Sequence, residues 1–413
     1  MANMKLSDEL VWRGFNNQTT FSDITELDKK KYKLYFGVDP SADSMQAGNL
    51  ASAMMVRVFI AHGHEATLLI GGATGLIGDP TDKAKERDLQ DPQVVASNVQ
   101  KIVKQYHNLY GQKIRIVNNQ DWFKGIGYID FLREVGVHFS LTPLLQRDYV
   151  TSRIGADGSG MSYAEFSYSL IQGYDFYHLN KVYDIDLQVC GSDQWGNSIS
   201  GVDLIRRKAG KTAHIYSAPL IINKTSGVKF GKSESGAIWL DEQKTSVFKF
   251  YQFWLNTDDE SVADYLKIFT DISIDKFTEV MKDFESNKSS RSAQKMLAIE
   301  VTNIVHGKDR TKTVQKVCDT LFGDSDFLSL GKKEIEILKE EINFCKINNV
   351  ESLPAVINHC GLSVSNSEAA RFVESGSISV NGKKITPSDK NPFAKGYNLI
   401  KRGKNNFAIM EYK

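Results

Sequence analysis

Short apolar segments alternate with longer segments of helical periodicity through the first half of the chain. Apolar residues three and four positions apart predict helices between the short segments. The clearest covers 91–109, where Asp91 can cap the first turn, Pro92 suits the first helical position and Gly111 follows the end; a second is expected at 163–180. The short segments predict β-strands at 34–38, 66–70, 114–117 and 187–191. This alternation favours an α/β fold with a doubly wound, Rossmann-like parallel sheet.

The second half of the chain lacks the alternation. Residues 246–323 carry apolar positions at helical spacing, which predicts a separate α-helical domain. Near the C-terminus, apolar and polar residues alternate around Asn381 and Gly382, a pair that suits the positive φ angles of a two-residue hairpin turn. The predicted boundaries are 1–230 for the Rossmann-like domain, 224–245 for a mobile loop and linker, 246–323 for the helical domain, 324–350 for a linker with one charged helix, and 351–413 for a small α+β domain.

Composition narrows the class of protein. Lys and Arg number 51 against 50 Asp and Glu, so bulk charge indicates no nucleic-acid partner and any basic surface must be local. Cys190, Cys318, Cys345 and Cys360 lie far apart with no C-x-x-C pair, so no zinc site or disulfide framework is expected and all four are interpreted as packing residues. No signal peptide or membrane span is predicted, which makes the cytoplasm the expected location.

A strand, a turn and a helix start follow one another at residues 35–54. In a parallel sheet, ligands bind beyond the carboxyl ends of the strands, and a helix N-terminus offers N–H groups to phosphates. A glycine at the helix start would let a ribose approach the backbone, although tight packing alone is the alternative explanation. The candidate nucleotide-binding residues at this helix start are Gly48 and Asn49.

Two glycine-rich segments carry basic side chains. In the first, Asp79 could hold an ammonium group while Lys83 and Arg87 hold phosphate oxygens. In the second, Lys229 and Lys232 could neutralise the charge on a leaving pyrophosphate, although the spacing is not that of a P-loop. A solvated surface is the alternative interpretation of the charges in both segments.

A polar stripe is predicted on the helix at 163–180. Tyr168, Gln172 and Asp175 are spaced by four and three residues, which places all three on one helix face. An inward polar stripe implies a polar ligand, whereas each residue taken singly is also compatible with a capping or surface contact. The end of the following strand adds Gln188, Asp193 and Gln194.

Taken together, in this order and spacing, the four segments resemble the class I aminoacyl-tRNA synthetases, and specifically the bacterial tyrosyl-tRNA synthetase family. The resemblance extends from about Asp39 through the helical domain into a tail similar to the S4-type RNA-binding module. It implies a ligase that uses ATP with Mg²⁺ to activate L-tyrosine and then loads tRNA(Tyr). It also implies a homodimer, with a dimerisation insertion near 125–160, and no metal site in the protein itself.

The resemblance assigns roles to the candidate residues. Tyr35 and Asp175 would contact the substrate phenol, and Gln188 belongs to the same tyrosine-binding set. The ammonium group would lie among Asp79, Tyr168 and Gln172. ATP would be bound by Gly37, Asp39, Gly48, Asn49, Asp193, Gln194 and Lys232, and the catalytic set would be Gln46, Asn49, Lys83, Arg87, Lys229 and Lys232.

One departure from the family pattern leaves alternatives open. Gln46 and Asn49 stand where the family's nucleotide loop has two histidines, so a non-catalytic RNA-binding relative with a decayed loop is one alternative. Retained Lys229, Lys232 and Asp175 argue against it. A tryptophan-specific enzyme of similar fold is the other alternative, but a carboxylate three residues from a glutamine suits a phenol donor better than an indole ring.

Overall fold

The computed structural model describes residues 4–81, 90–111, 114–155, 158–225, 227, 230–233, 236–323 and 325–413, with the backbone alone at 232 and 233. The chain forms two compact units. The first comprises Met1–Thr245 and Phe253–Val301, and the second comprises Ser246–Gln252 and Thr302–Lys413.

A mixed sheet forms the centre of the first unit. Its strands lie in the order β1-β6-β5-β2-β3-β4, and all neighbours are parallel except β1 and β6. Chain order reverses between β2 and β5, which is the switch point where doubly wound sheets open a ligand crevice. The four predicted strands are confirmed. The strands of the unit are β1 Gln18–Thr19, β2 Lys33–Val38, β3 Glu65–Ile70, β4 Arg115–Asn118, β5 Leu187–Gly191, β6 His214–Ala218, and the separate pair β7 Lys232–Ser233 and β8 Gly236–Ala237.

Helices flank this sheet, and both predicted helices are present. Asp91 accepts a hydrogen bond from the backbone of Gln93 and so caps α4, while Gly111 ends it with φ of 79°. The helices are α1 Leu6–Arg13, α2 Ala47–Ala61, α3 Thr74–Ile77, α4 Pro92–Tyr110, α5 Gln120–Phe123, α6 Tyr128–Glu134, α7 Leu141–Leu145, α8 Asp148–Ile154, α9 Tyr163–Tyr183, α10 Trp195–Ala209, α11 Val247–Leu255, α12 Val262–Phe269, α13 Ile274–Ser286 and α14 Ser292–His306. Among the described residues, none of the helices is long and apolar enough to cross a membrane.

The division into units differs from the predicted helical domain at 246–323. Phe253–Val301 belongs to the first unit because its aromatic side chains pack there. The ring of Phe230 lies 4.9 Å from that of Phe269 and 5.5 Å from that of Trp254. Buried Arg13 on α1 also donates to the backbone carbonyl of Thr270. Helical periodicity showed that these helices have an apolar face, but it could not show which surface that face covers.

The second unit is an α+β domain that includes most of the predicted linker. A five-stranded sheet has the order β11-β10-β12-β13-β9, in which β9 lies parallel to β13. The expected linker at 324–350 therefore contributes a strand, and its charged helix packs Ile335 and Leu338 into a core shared with the sheet. The elements are α15 Lys308–Phe322, α16 Lys332–Glu341, β9 Asn343–Ile347, α17 Leu353–His359, α18 Asn366–Glu374, β10 Ile378–Val380, β11 Lys383–Lys384, β12 Gly396–Arg402 and β13 Asn406–Tyr412.

Two local predictions in this unit have opposite outcomes. The hairpin is confirmed, because Asn381 and Gly382 adopt φ of 47° and 81° between β10 and β11. The expectation that all four cysteines are unpaired packing residues is wrong. Cys345 on β9 and Cys360 at the end of α17 form a disulfide across 15 residues of sequence, with Cα atoms 5.2 Å apart. Their proximity arises from packing of the helix on the sheet, which their sequence spacing did not reveal.

Candidate active site

The candidate site lies at the carboxyl edge of the first unit's sheet. Asp39 follows β2, Asn119 follows β4, and Ser192–Gln194 forms a turn after β5. The carboxyl ends of parallel strands meet at one edge, so these polar residues gather although they are far apart in sequence. Gly37 on β2 is exposed, and a side chain there would meet no atom within 4 Å among the described residues. A central strand thus offers bare backbone beside the crevice.

Asp175 is the buried charge of the site. It lies on α9 and is 2% exposed. Its two carboxylate oxygens accept hydrogen bonds from the indole Nε1 of Trp122, at 2.9 Å, and the amide Nδ2 of Asn119, at 3.1 Å. Burial raises the pKa of Asp175 to about 8, although both hydrogen bonds oppose the shift. Such a group takes a further donor readily, because a third hydrogen bond would stabilise its ionised form.

Three buried polar atoms next to the strands and α9 have no hydrogen-bond partner within the part of the chain that the structure describes. They are the hydroxyl of Tyr35, the amide oxygen of Gln188 and the amide oxygen of Gln172. Tyr35 and Gln188 are paired in register across β2 and β5, so they lie side by side. Leaving such atoms unpaired costs about 1–3 kcal/mol each, and a polar ligand can recover that energy. The predicted gathering of Tyr35, Gln188 and Gln172 near Asp175 thus has the chemistry of a binding site.

A hydrogen-bond network connects Asp175 to Asp39. The hydroxyl of Tyr168 donates to one carboxylate oxygen of Asp39 at 2.8 Å, and Thr74 donates to the other at 2.6 Å. Thr74 also accepts from Asn119, which reaches Asp175. Gly71 makes this approach possible, because a Cβ at that position would lie 2.0 Å from the Asp39 carboxylate. The structure therefore joins Asp39, which was predicted for ATP, to Tyr168, which was predicted for tyrosine.

Asp79 forms a second, smaller group with the turn after β5. One of its oxygens accepts from the backbone N–H of Thr81 at 2.9 Å, and the other from the side-chain amide of Gln194 at 2.7 Å. Burial raises the pKa of Asp79, and the nearby charge of Asp193 raises it further. A cationic ligand group would favour the ionised form.

The start of α2 meets the lysine-bearing loop. A Cβ on Gly48 would lie 3.1 Å from the carbonyl oxygen of Phe230, and one on Gly231 would lie 2.8 Å from the backbone nitrogen of Gly48. Ala47 donates its N–H to the carbonyl of Ile238 on the far side of the loop. A side chain at position 48 would therefore obstruct the close crossing of two backbone segments, which explains the glycine independently of the predicted approach of a ribose.

The two residues that replace the family's histidines lie at the same helix start. Gln46 is the residue before the first turn of α2, and Asn49 lies exposed within that turn. The amide oxygen of Asn49 accepts the backbone N–H of Gln46 at 2.9 Å. Since that oxygen caps the helix, the group that Asn49 can offer to an anion is its NH₂.

Of the four predicted basic residues, the structure describes Lys232 alone, and only its backbone. Lys83, Arg87 and Lys229 lie outside the described residues. Lys232 lies on β7, which pairs with β8 beside the start of α2.

Sequence reasoning missed three residues that hold the site together: Thr74, Asn119 and Trp122. Asn119 is fully buried and follows β4 directly. The rule that singled out the ends of the first and fourth predicted strands applies equally to this third strand, so it could have identified Asn119. Trp122 and Thr74 carry no comparable local signal.

The crevice at the switch point, the close glycine crossing at a helix N-terminus and the loop that carries Lys232 agree with the resemblance to class I aminoacyl-tRNA synthetases. A sequence profile of the family described as "tRNA synthetases class I (W and Y)" matches residues 27–323, and one for the "Tyrosine--tRNA ligase SYY-like C-terminal domain" matches residues 334–410. The chain belongs to the tyrosine–tRNA ligase family, since relatives with that name match it along nearly its whole length.

The individual relatives agree with this assignment. Tyrosine–tRNA ligase 2 of Bacillus anthracis is 40% identical over 422 residues, which cover 99% of this chain and 100% of the relative. Tyrosine–tRNA ligase of Lactococcus lactis subsp. lactis is 40% identical, with the same two coverages. Among solved structures, the C-terminally truncated mitochondrial tyrosyl-tRNA synthetase of Aspergillus nidulans is 30% identical with a TM-score of 0.68, covering 76% of this chain and 92% of its own.

Proposed function

We propose that this chain is a tyrosine–tRNA ligase that activates L-tyrosine with ATP and transfers the tyrosyl group to the terminal adenosine of tRNA(Tyr). The observation that carries the choice of tyrosine is the carboxyl group of Asp175. It is buried and held by Trp122 and Asn119, and the unpartnered hydroxyl of Tyr35 is buried in the same region. A phenol can contact both groups, whereas phenylalanine would leave the Tyr35 hydroxyl without a partner and Asp175 without a third donor. Rejection of phenylalanine on this ground is a known property of tyrosyl-tRNA synthetases, so its magnitude is not a new prediction for this chain.

The other end of tyrosine fits the group around Asp79. We assign its ammonium to Asp79, with Tyr168 and Gln172 along α9. The raised pKa of Asp79 reflects a carboxyl group with too little compensation for its burial. A bound ammonium would supply that compensation. The side chains of Asp175 and Asp79 would then hold the two polar ends of one substrate.

ATP is proposed to bind along the sheet edge beside the start of α2, where Gly37, Asp39, Asp193 and Gly48 offer backbone and carboxylate contacts. Mg²⁺ would enter with the phosphates as part of the substrate. In the reaction, a carboxylate oxygen of tyrosine attacks the α-phosphorus of ATP, the bond to the β-phosphate oxygen breaks, and pyrophosphate leaves. No side chain acts as nucleophile, so positioning and charge stabilisation supply the rate.

The side chains that meet the developing charge are proposed as follows. Gln46 and Asn49 would donate neutral hydrogen bonds to the phosphates from the start of α2. The separating pyrophosphate would be met by Lys83, Arg87, Lys229 and Lys232. Because that charge develops as the bond breaks, Lys232→Ala is expected to lower kcat more than tyrosine affinity, and equal losses in both would contradict this role.

The second unit is proposed to contact tRNA in the manner of an S4-type module. Residues 351–413 contain nine Lys and Arg and five Asp and Glu, a net charge of +4 in a chain whose total is +1. Lys401, Arg402 and Lys404 are neighbours in sequence at the end of β12 and in the turn that follows it, although the ammonium of Lys401 donates to the backbone carbonyls of Thr320 and Leu321. Local basic charge of this kind suits contacts to a phosphate backbone. As a translation enzyme, the protein is proposed to act in the cytoplasm.

We also propose a homodimer formed through the segment near 125–160. Large apolar side chains in and next to this segment are exposed, and some of them, such as Val137 and Leu141, line an apolar hollow of about 340 Å³. Apolar surface of this kind is typical of protein interfaces. Its most exposed members are Tyr128, Ile129, Val137 and Leu141. Val137→Asp is expected to shift the sedimenting mass from dimer to monomer, and a wild-type protein that sediments as a monomer would contradict the proposal.

Amino-acid-dependent exchange of labelled pyrophosphate into ATP tests the activation step. The exchange is measured without tRNA and with tyrosine, phenylalanine and tryptophan in turn. Exchange with tyrosine alone is expected. Exchange with tryptophan would favour the tryptophan enzyme of the same fold. No exchange from folded protein that binds tyrosine would favour a non-catalytic RNA-binding role.

A further inference from the structure

A chain of side-chain hydrogen bonds connects Asp79 to Arg147, which precedes α8. The guanidinium of Arg147 donates to the amide oxygen of Asn197 at 3.3 Å. The amide nitrogen of Asn197 donates to the amide oxygen of Gln194 at 3.4 Å and to the hydroxyl of Thr81 at 3.3 Å. The amide nitrogen of Gln194 donates to Asp79 at 2.7 Å. The hydroxyl of Tyr149 also donates to the Asn197 amide oxygen, at 3.3 Å. Asn197 is 1% exposed, so solvent does not compete for these bonds.

The direction of every bond in this chain is determined by its two ends. A guanidinium has donors and no acceptor, so it requires the oxygen of Asn197 to face it. The NH₂ of Asn197 must then face Gln194, whose own NH₂ is left to face the carboxylate of Asp79. If either amide were reversed, two donors or two acceptors would face each other at both of its ends. The charges at the two ends therefore select one orientation for both amides.

We propose that Asn197 is a positioning residue for amino-acid binding. Because Arg147 fixes the orientation of the Asn197 amide, Asn197 in turn orients the Gln194 amide so that its NH₂ always donates to Asp79. This proposal rests on the assignment of Asp79 to the substrate ammonium. The donated bond favours the ionised form of Asp79, which is the form that attracts a cation. Asn197 itself touches no substrate in this scheme.

Asn197→Asp should reverse the direction of the hydrogen bonds between residue 197 and Asp79 with almost no change in the shape of the side chain. The new carboxylate keeps its bond to Arg147 but has only acceptors to present to Gln194. The Gln194 amide must then turn its NH₂ toward residue 197 and its oxygen toward Asp79. Asp79 loses a donor and gains a repulsive neighbour, so the KM for tyrosine should rise roughly tenfold or more, the scale of one lost hydrogen bond to a charged group.

The matched control is Ser200→Ala. Ser200 accepts from the other terminal nitrogen of the same guanidinium, at 2.7 Å, so this variant disturbs Arg147 without touching either amide. Tyrosine-dependent pyrophosphate exchange gives the KM values for tyrosine and for ATP. A merely structural role would lower the melting temperature and change both KM values together. The proposal requires a change in the tyrosine KM with the KM for ATP and the melting temperature unchanged.

Arg147→Met provides a second perturbation if Asn197→Asp does not fold, because it removes the end that selects the orientation; a several-fold rise in the tyrosine KM is expected. A tyrosine KM within about twofold of that of Ser200→Ala, in a folded Asn197→Asp or Arg147→Met protein, overturns the proposal. Asp79→Asn separates this failure from failure of the underlying assignment. If that variant leaves the tyrosine KM unchanged, Asp79 does not bind the ammonium. If it raises the KM while Asn197→Asp does not, only the positioning role is lost.

Discussion

Tyrosine should bind this protein more tightly as the pH rises from about 6 to 8, because Asp175, the carboxyl group proposed to receive its phenol, has a pKa of about 8 in the free protein. Burial holds the pKa of Asp175 at about 8 despite the hydrogen bonds from Trp122 and Asn119. A phenol hydroxyl would be a third donor to the same carboxylate. Since donors favour the ionised form, tyrosine binding lowers the pKa of Asp175 and releases a proton at neutral pH.

The size of the effect follows from the pKa of about 8. If only the ionised form accepts the phenol, affinity is proportional to the ionised fraction, which is roughly one-tenth at pH 7 and one-half at pH 8 by ordinary titration. Affinity therefore rises about fivefold from pH 7 to pH 8 and nearly tenfold from pH 6 to pH 7. The sign is fixed by the direction of the shift: a carboxyl group with an unperturbed pKa would be fully ionised over this range, and the affinity would be flat.

Isothermal titration calorimetry at neutral pH, in two buffers of different ionisation enthalpy, measures both the dissociation constant and the number of protons released. Close to one proton per tyrosine is expected. Phenylalanine at higher concentration is the first control, because it keeps the ammonium group but lacks the hydroxyl and should release fewer protons than tyrosine. Asp175→Asn is the second, because its amide does not titrate. A tyrosine affinity that is constant between about pH 6.5 and pH 8 would refute the reasoning, and so would equal proton release with phenylalanine.

Three further outcomes are expected. Gly231→Ala should lower the exchange rate at least tenfold with little change in melting temperature, because the new Cβ would lie 2.8 Å from the backbone at the start of α2 and φ is 108°. Glu165→Gln should destabilise the first unit by about 3–5 kcal/mol in urea unfolding, because it breaks a buried ion pair with Arg153 whose side chains are both 3% exposed. Cys345→Ser should destabilise the second unit by roughly 3 kcal/mol, the value for a 15-residue loop, and dithiothreitol should reproduce the loss only while Cys360 has its partner.

The central sheet and most of its edge residues could be predicted because their signals are local. An apolar segment followed by polar residues marks both a strand and the end of it that binds ligands, so Asp193 and Gln194 could be found without the fold, whereas the role of Tyr35 came only from the family resemblance. Helical spacing likewise allowed the polar face of α9 to be predicted from the sequence alone. These features depend on neighbours within a few positions, which is the range over which sequence patterns are informative.

The supporting contacts could not be predicted in the same way. Trp122 meets Asp175 across 53 residues of sequence, and the two come together only because α5 lies beside α9 at the sheet edge. The disulfide depends in the same way on where α17 lies against the second sheet. A helix shows by its spacing that it has an apolar face, but the partner of that face is decided by the rest of the chain. For this reason the sequence could not show that Phe253–Val301 belongs to the first unit.

The absence of histidines from the nucleotide loop is less disruptive in this geometry than the sequence pattern alone indicates. Asn49 completes the first turn of α2 by accepting the backbone N–H of Gln46, which keeps the helix start in place and leaves its NH₂ as a donor. The close crossing at Gly48 and Gly231 brings the loop that carries Lys232 to the same helix start. In the proposed ATP-binding mode, stabilisation of phosphate charge would be shared by backbone N–H groups, two neutral amides and lysines, so the substitution would change the strength of two contacts and not the arrangement that makes them. We therefore infer that turnover, more than tyrosine affinity, is where the replaced histidines have their effect.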